Sequence, residues 1–227
     1  MRSTNKLLLV LSLCISFYAN SFGHWFSTGD SIPANHNKQW IAPAALFTAG
    51  SSIAAIPSLR KLESKVYDGF KPKREFTHID DYTQYLPALA VFTLDAAGLK
   101  GSTKPQHQLL LYALGNVTAA AIVQPMKRII GRERPNQSDF HSFPSGHTST
   151  AFVAAEFLHQ EFGHHSPWIS VAGYATAAAT GYLRLYNNQH WLGDVLAGAA
   201  IGMASTKFIY WINRRIKNKK TAVIQGL

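Results

Sequence analysis

Apolar residues gather in one short run near the start, residues 7–17, and in six further stretches. These lie at 40–57, 82–99, 109–125, 147–162, 168–183 and 192–212. Most come close to the roughly 20 residues a helix needs to cross a hydrocarbon core. They are rich in Ala, Gly, Ser and Thr, which let helix backbones approach closely. No period-two alternation competes with them, and no internal repeat or low-complexity tract is visible. The pattern predicts an all-α fold, a bundle of about six membrane-embedded helices. Gly198 and Gly202 form a small-xxx-small pair suited to close packing within the chain.

The polar segments between these stretches sharpen the expectation. Residues 58–81 read as a long polar loop, and 126–146 as a second loop with four basic residues. A basic tail runs from Arg214 to Lys220, suited to anchoring on anionic lipid. No groove-reading motif or aromatic stacking platform accompanies it, which argues against nucleic acid as a partner. Asp95, Glu156, His159 and Glu161 interrupt the apolar stretches. Ionisable groups at membrane depth face a bundle interior or a wet cavity; the alternative is a buried helix of a soluble protein.

Arg2 and Lys6, the apolar run 7–17 and the small residues Ala19-Asn20-Ser21 form a signal-like segment. Residues 1–23 are therefore expected to be a signal peptide or N-terminal anchor, and 24–227 one helical domain. Composition agrees with that size: 227 residues, 47% hydrophobic but only 15% charged, with a formal charge of +10. These values exclude a disordered tail or a coiled coil. Mean hydropathy, −0.04, is low for a chain made only of spans, and this keeps a soluble helical protein open. Cys14 alone cannot build a disulfide within the chain or a zinc site.

Three clusters at the ends of apolar stretches carry candidate chemistry. The first holds Lys127, Arg134 and Pro135, the second Pro144-Ser145-Gly146-His147, and the third Arg184, His190 and Asp194. Lys127 and Arg134, seven apart, would share a face if their segment were helical. With Arg184 they supply three cations suited to phosphate oxygens, Arg as a bidentate fork and Lys as a point charge. Arg128 and Arg132 read instead as loop residues touching lipid headgroups. Ser145 can cap a helix whose first amides bind an anion, and Gly146 lets an oxyanion approach the backbone. His190 and Asp194, at i and i+4, suit a nucleophilic histidine oriented by a carboxylate, and suit equally a contact at a helix start. His147 would then protonate the leaving oxygen. The other histidines lack metal-binding spacing, so no metal and no cofactor are expected.

Together, K-x6-R-P, P-S-G-H and R-x5-H-x3-D resemble the three-part signature of the type 2 phosphatidic acid phosphatase superfamily. The match covers 127–194, and the helical layout extends it to about 40–212. Leu183 stands where the family usually has Ser. The resemblance implies an all-helical fold and a metal-independent phosphatase. It assigns phosphate binding to Lys127, Arg134, Ser145, Gly146 and Arg184. His147 would be the general acid, His190 the nucleophile through a phosphohistidine, and Asp194 its partner. The implied substrate is a lipid phosphate, first of all lipid A. The alternatives are phosphatidylglycerol phosphate, undecaprenyl diphosphate, or the esters taken by a soluble periplasmic acid phosphatase.

Family members of this layout imply the bacterial inner membrane, with the site facing the periplasm. Eight basic residues in the segments that would then lie inside, against six in the 58–81 loop, agree weakly. An exported leader followed by six full spans would turn the site inward. Either 7–17 is not exported, or one stretch, such as 43–57, does not cross.

Overall fold

The structure, a computed structural model, describes residues 38–70 and 77–225. The expectations for residues 1–23, Cys14 included, lie outside the described residues. Within them a 3-10 turn at Lys38–Trp40 leads into eight α-helices, and there is no strand. The helices are α1 Ile41–Ala55, α2 Pro57–Phe70, α3 Ile79–Thr83, α4 Leu86–Ala96, α5 Pro105–Ile130, α6 Gly146–Phe162, α7 Pro167–Tyr186 and α8 Leu192–Gln225.

Local sequence explains several boundaries. Pro105 and Pro167 occupy first-turn positions, where a missing N–H costs nothing. The Ser145 and Ser166 side chains cap α6 and α7, accepting from the N–H groups of Thr148 and Trp168. Gly131, with φ 58°, ends α5 in the left-handed region that glycine adopts freely. Residues 58–81 are not a loop throughout, since 57–70 form α2. The chain turns by 90° between Lys38–Ala55 and Pro57–Lys65, so the 40–57 stretch does not continue as one straight span.

α6 is the central helix, packed against α4, α5, α7 and α8. Ala151, Val153, Ala154, Ala155 and Phe157 along it are fully buried. The small pair on α8 lies against it: a Cβ on Gly198 would sit 2.5 Å from Ser145 O, and one on Gly202 2.3 Å from Ser149 O. Close packing within the chain is what these two positions do.

Glu156 and Glu161 of α6 point inward, as a membrane bundle and a soluble one would both require. Glu156 accepts from Lys207 Nζ at 2.9 Å, from Gln160, and from the Tyr174 hydroxyl. Glu161 accepts from Thr103 N and Oγ1, both at 2.9 Å, and from the Tyr210 hydroxyl. Such partners are what a buried carboxylate requires. The outer faces are the reverse: Leu109, Leu110, Val117 and Ile122 of α5 and Trp168, Val171 and Tyr182 of α7 are exposed. Among the described residues, α5 and the Leu192–Asn218 part of α8 are long and apolar enough to cross a membrane, with the bent pair as a third.

Candidate active site

All three sequence clusters meet at the end of the bundle where α5 and α7 finish and α6 and α8 begin. Lys127 lies in the last turn of α5, its ammonium donating to the His141 carbonyl at 2.6 Å. Because α5 stops at Ile130, Arg134 belongs to the following loop, and the expected shared helical face does not exist. The loop instead folds Arg134 back over the start of α8. Its Nε donates to Asp139 at 2.9 Å and its Nη1 to the Gln189 side chain at 2.9 Å. That same Nη1 lies 3.5 Å from His190 Nε2. Arg184, in the last turn of α7, is ion-paired with the buried Asp80 of α3.

Ser145 turns its hydroxyl to the α6 cap, 2.9 Å from Thr148 Oγ1, and its N–H donates to Asp194 O at 3.0 Å. The first α6 amides, those of Gly146 and His147, precede the first intrahelical bond, from Ser149 N to Ser145 O. They remain available for an anion. A Cβ on Gly146 would stand 3.9 Å from Lys127 Cε, so the α6 start and the lysine stem border the same space.

His190 sits just before α8 and is 2% exposed, and Asp194 is fully buried. Their i, i+4 spacing gives a 3.7 Å approach of Nδ1 to Oδ2, short of a hydrogen bond. Asp194 Oδ2 already accepts from Trp191 N at 2.9 Å, as in a helix-start cap, and from the Ser142 hydroxyl. The helix-start contact of Asp194 is thus made with Trp191 N, and His190 Nδ1 stays at 3.7 Å. Burial lowers the His190 pKa to about 4, with Lys127 and Arg134 adding to the fall and Asp194 opposing it. The ring is neutral at physiological pH, with Nδ1 on the Asp194 side and Nε2 on the Arg134 side.

Arg132 corrects the sequence reading. It is not a lipid-facing loop residue but a buried clamp, 7% exposed. Nη1 donates to Asp194 Oδ1 at 2.5 Å, and Nη2 pairs with Glu63 of α2. Glu63 also accepts from Gly193 N at 2.8 Å. Asp80 and Asp81 of α3 were likewise absent from the candidates. Asp80 Oδ1 accepts from Asn187 Nδ2 at 2.9 Å, and Asp81 Oδ1 lies 2.8 Å from His147 Nε2. Sequence offers little signal for these carboxylates, because each pairs with a residue more than sixty positions away. Arg132 was legible in principle: Gly131 before it marks the end of α5.

Residues 108–217 match the PAP2 superfamily, and all three clusters lie inside that stretch. The chain carries a PAP2 superfamily domain. Glu63, Asp80 and Asp81 stand before it in sequence and pair with Arg132, Arg184 and His147 inside it. Two curated relatives match. A lipid A 1-phosphatase of Porphyromonas gingivalis is 43% identical over 138 residues, 60% of this chain and 31% of that protein. The bacitracin transport permease protein BcrC of Bacillus licheniformis is 27% identical over 146 residues, 58% of this chain and 66% of that protein. The chain thus spans under a third of the first and about two thirds of the second. Two solved structures share the PAP2 fold. A transmembrane PAP2-type phosphatidylglycerolphosphate phosphatase from Bacillus subtilis superposes with a TM-score of 0.59 at 21% identity, covering 77% of this chain and 97% of that one. LpxE of Aquifex aeolicus gives 0.50 at 21% identity, over 66% and 94%.

Proposed function

We propose that this protein is a lipid phosphatase that works through a phosphohistidine on His190, with the phosphate of lipid A as its substrate. The observation that carries the reading is the placement of His190: buried and neutral, its Nε2 toward Arg134 and its Nδ1 toward Asp194. Lys127, Arg134, Arg184 and the first α6 amides bind the phosphoryl oxygens and stabilise charge developing on them. His190 Nε2 attacks phosphorus, and the bond from phosphorus to the lipid oxygen breaks. His147 gives its proton to that oxygen. Water then attacks the phosphohistidine, His147 takes its proton, and inorganic phosphate leaves. The cations carry the electrostatic work, so phosphate release should persist in EDTA.

Lipid A is chosen because the 43% identical relative is a lipid A 1-phosphatase. The test is phosphate release by purified protein from lipid A, phosphatidylglycerol phosphate and undecaprenyl diphosphate. Lipid A should give the highest kcat/KM. Release from none of the three, with soluble monoesters cleaved instead, would overturn the reading in favour of a soluble acid phosphatase.

The pH dependence follows from the two histidines. His190 must be neutral to attack, and this is lost only as pH falls through about 4. His147 must be protonated to donate. Burial and then Arg184 lower its pKa, with Asp81 opposing them, so donation is lost as pH rises through a value under the ordinary 6.5. The kcat/KM profile should be a bell with its maximum on the acid side of neutrality. A profile still rising at pH 8 would contradict these roles.

We place the site on the periplasmic side of a bacterial inner membrane. The exposed apolar faces of α5 and α7 and the basic tail support this. Gly101 lies in the α4–α5 link, at the opposite end of the bundle from the site. A reporter fused there should be cytoplasmic, and a periplasmic signal would refute the orientation.

A further inference from the structure

His147 is hydrogen-bonded by a residue outside all three motifs. Asp81 stands in α3, twenty-seven positions before the matched PAP2 stretch begins at residue 108. Its Oδ1 lies 2.8 Å from His147 Nε2 and 4.0 Å from Arg184 Nη1, and its Oδ2 lies 3.2 Å from His78 Nδ1. Its neighbour Asp80 is buried and fixed by Arg184 and Asn187, which anchors α3 to the end of α7. The Tyr82–Tyr85 turn then leads directly into α4, which packs on α6. Asp81 is thus delivered to His147 by a short segment pinned on both sides.

A carboxylate accepts, so the Nε2 facing Asp81 carries a hydrogen, and Nδ1 is left for proton transfer. An Arg beside an imidazole disfavours its charged form, and a carboxylate in contact with it favours that form. The charged groups facing His147 are Asp80 and Asp81 from α3 and Arg184 from α7, with Lys127 of α5 beyond Gly146. Of these, only Asp81 touches the ring through a hydrogen bond.

We propose that Asp81 is the positioning residue of the general acid: it holds the His147 ring with Nε2–H toward itself, presents Nδ1 to the leaving oxygen, and keeps the imidazolium available beside Arg184. The proton that moves is the one on Nδ1. It passes to the leaving oxygen and is replaced from the attacking water, while Asp81 only accepts the Nε2 hydrogen bond. This rests on the proposed phosphatase reading.

Asp81→Asn keeps an acceptor at the same position and removes the charge, whereas Asp81→Ala removes both. In Asp81→Asn the alkaline limb of kcat/KM should move down by about one pH unit, a roughly tenfold loss at pH 7, while the acid limb set by His190 stays where it was. Asp81→Ala should show the same displacement and a further drop in kcat at the acid-side maximum. Ring-nitrogen NMR of His147 in the intact protein reads the same titration without turnover and should show the same fall. An alkaline limb and a His147 titration that are unmoved in Asp81→Asn overturn the proposal. Absence of phosphatase activity from the wild type, with the His147 titration still displaced by Asp81→Asn, overturns the functional reading and leaves the contact standing.

Discussion

With His190 as the proposed nucleophile, replacing it with Ala should lower kcat for lipid phosphate by about 10⁴-fold or more, the scale seen when a nucleophile is removed. The physical reason is local. His190 combines burial and neutrality with an Nε2 that faces Arg134. Lys127, Arg134 and Arg184 remain in His190→Ala, so inorganic phosphate should still inhibit or bind with an affinity within a few fold of the wild type. His147→Ala provides the contrast. Loss of a general acid costs about 10²- to 10⁴-fold where the leaving group is a poor anion, such as a lipid or sugar oxygen. With p-nitrophenyl phosphate, whose leaving group needs little protonation, His147→Ala should lose far less than His190→Ala. Equal losses on both substrates in both variants would show that the division of labour between the two histidines is wrong.

Arg132→Ala should be the most destabilising single change in the site. Arg132 is 7% exposed and bridges Asp194 and Glu63, both of them buried. Removing it leaves two buried carboxylates without the guanidinium that bridges them, and breaking a buried pair in this way costs about 3–5 kcal/mol. For a domain of this size that corresponds to a fall in unfolding temperature on the order of 10 °C, measurable in detergent. Arg132→Lys should recover little, since one ammonium cannot span two carboxylates as a guanidinium fork does. An unfolding temperature within a degree or two of the wild type would show that the clamp contributes little. Glu63→Gln should be milder, because the Gln carbonyl can still accept from Gly193 N.

The parts of this site that could be read from sequence are those that fall within three short motifs, wherever their partners in the fold lie. Lys127, Arg134, Gly146, His147, Arg184 and His190 declare themselves by residue type, spacing and position at the end of an apolar run. The helices declare themselves in the same way, by length and by small-residue content. The supporting residues are different in kind. Glu63 was hidden because α2 has a charged residue on its buried side, so its segment resembles a polar loop. Arg132 was misread because a basic residue beside a membrane span suits headgroups as well as it suits a buried carboxylate. The Lys127 to Arg134 spacing misled for a simpler reason: it was treated as helical across Gly131, the residue that stops the helix. Asp80 and Asp81 reach Arg184 and His147 through a tertiary fold that places α3 against α7, and nothing in their own neighbourhood reports it.

The central claim is that phosphate passes through His190, and trapping the intermediate tests it most directly. Protein mixed with ³²P-labelled lipid phosphate is quenched in alkali within the first turnover, where phosphohistidine survives, and the labelled peptide is mapped. The account predicts label on His190, absent in His190→Ala and accumulating in His147→Ala supplied with an aryl phosphate. Label on another residue, or wild-type turnover with no labelled protein at any time, would contradict it.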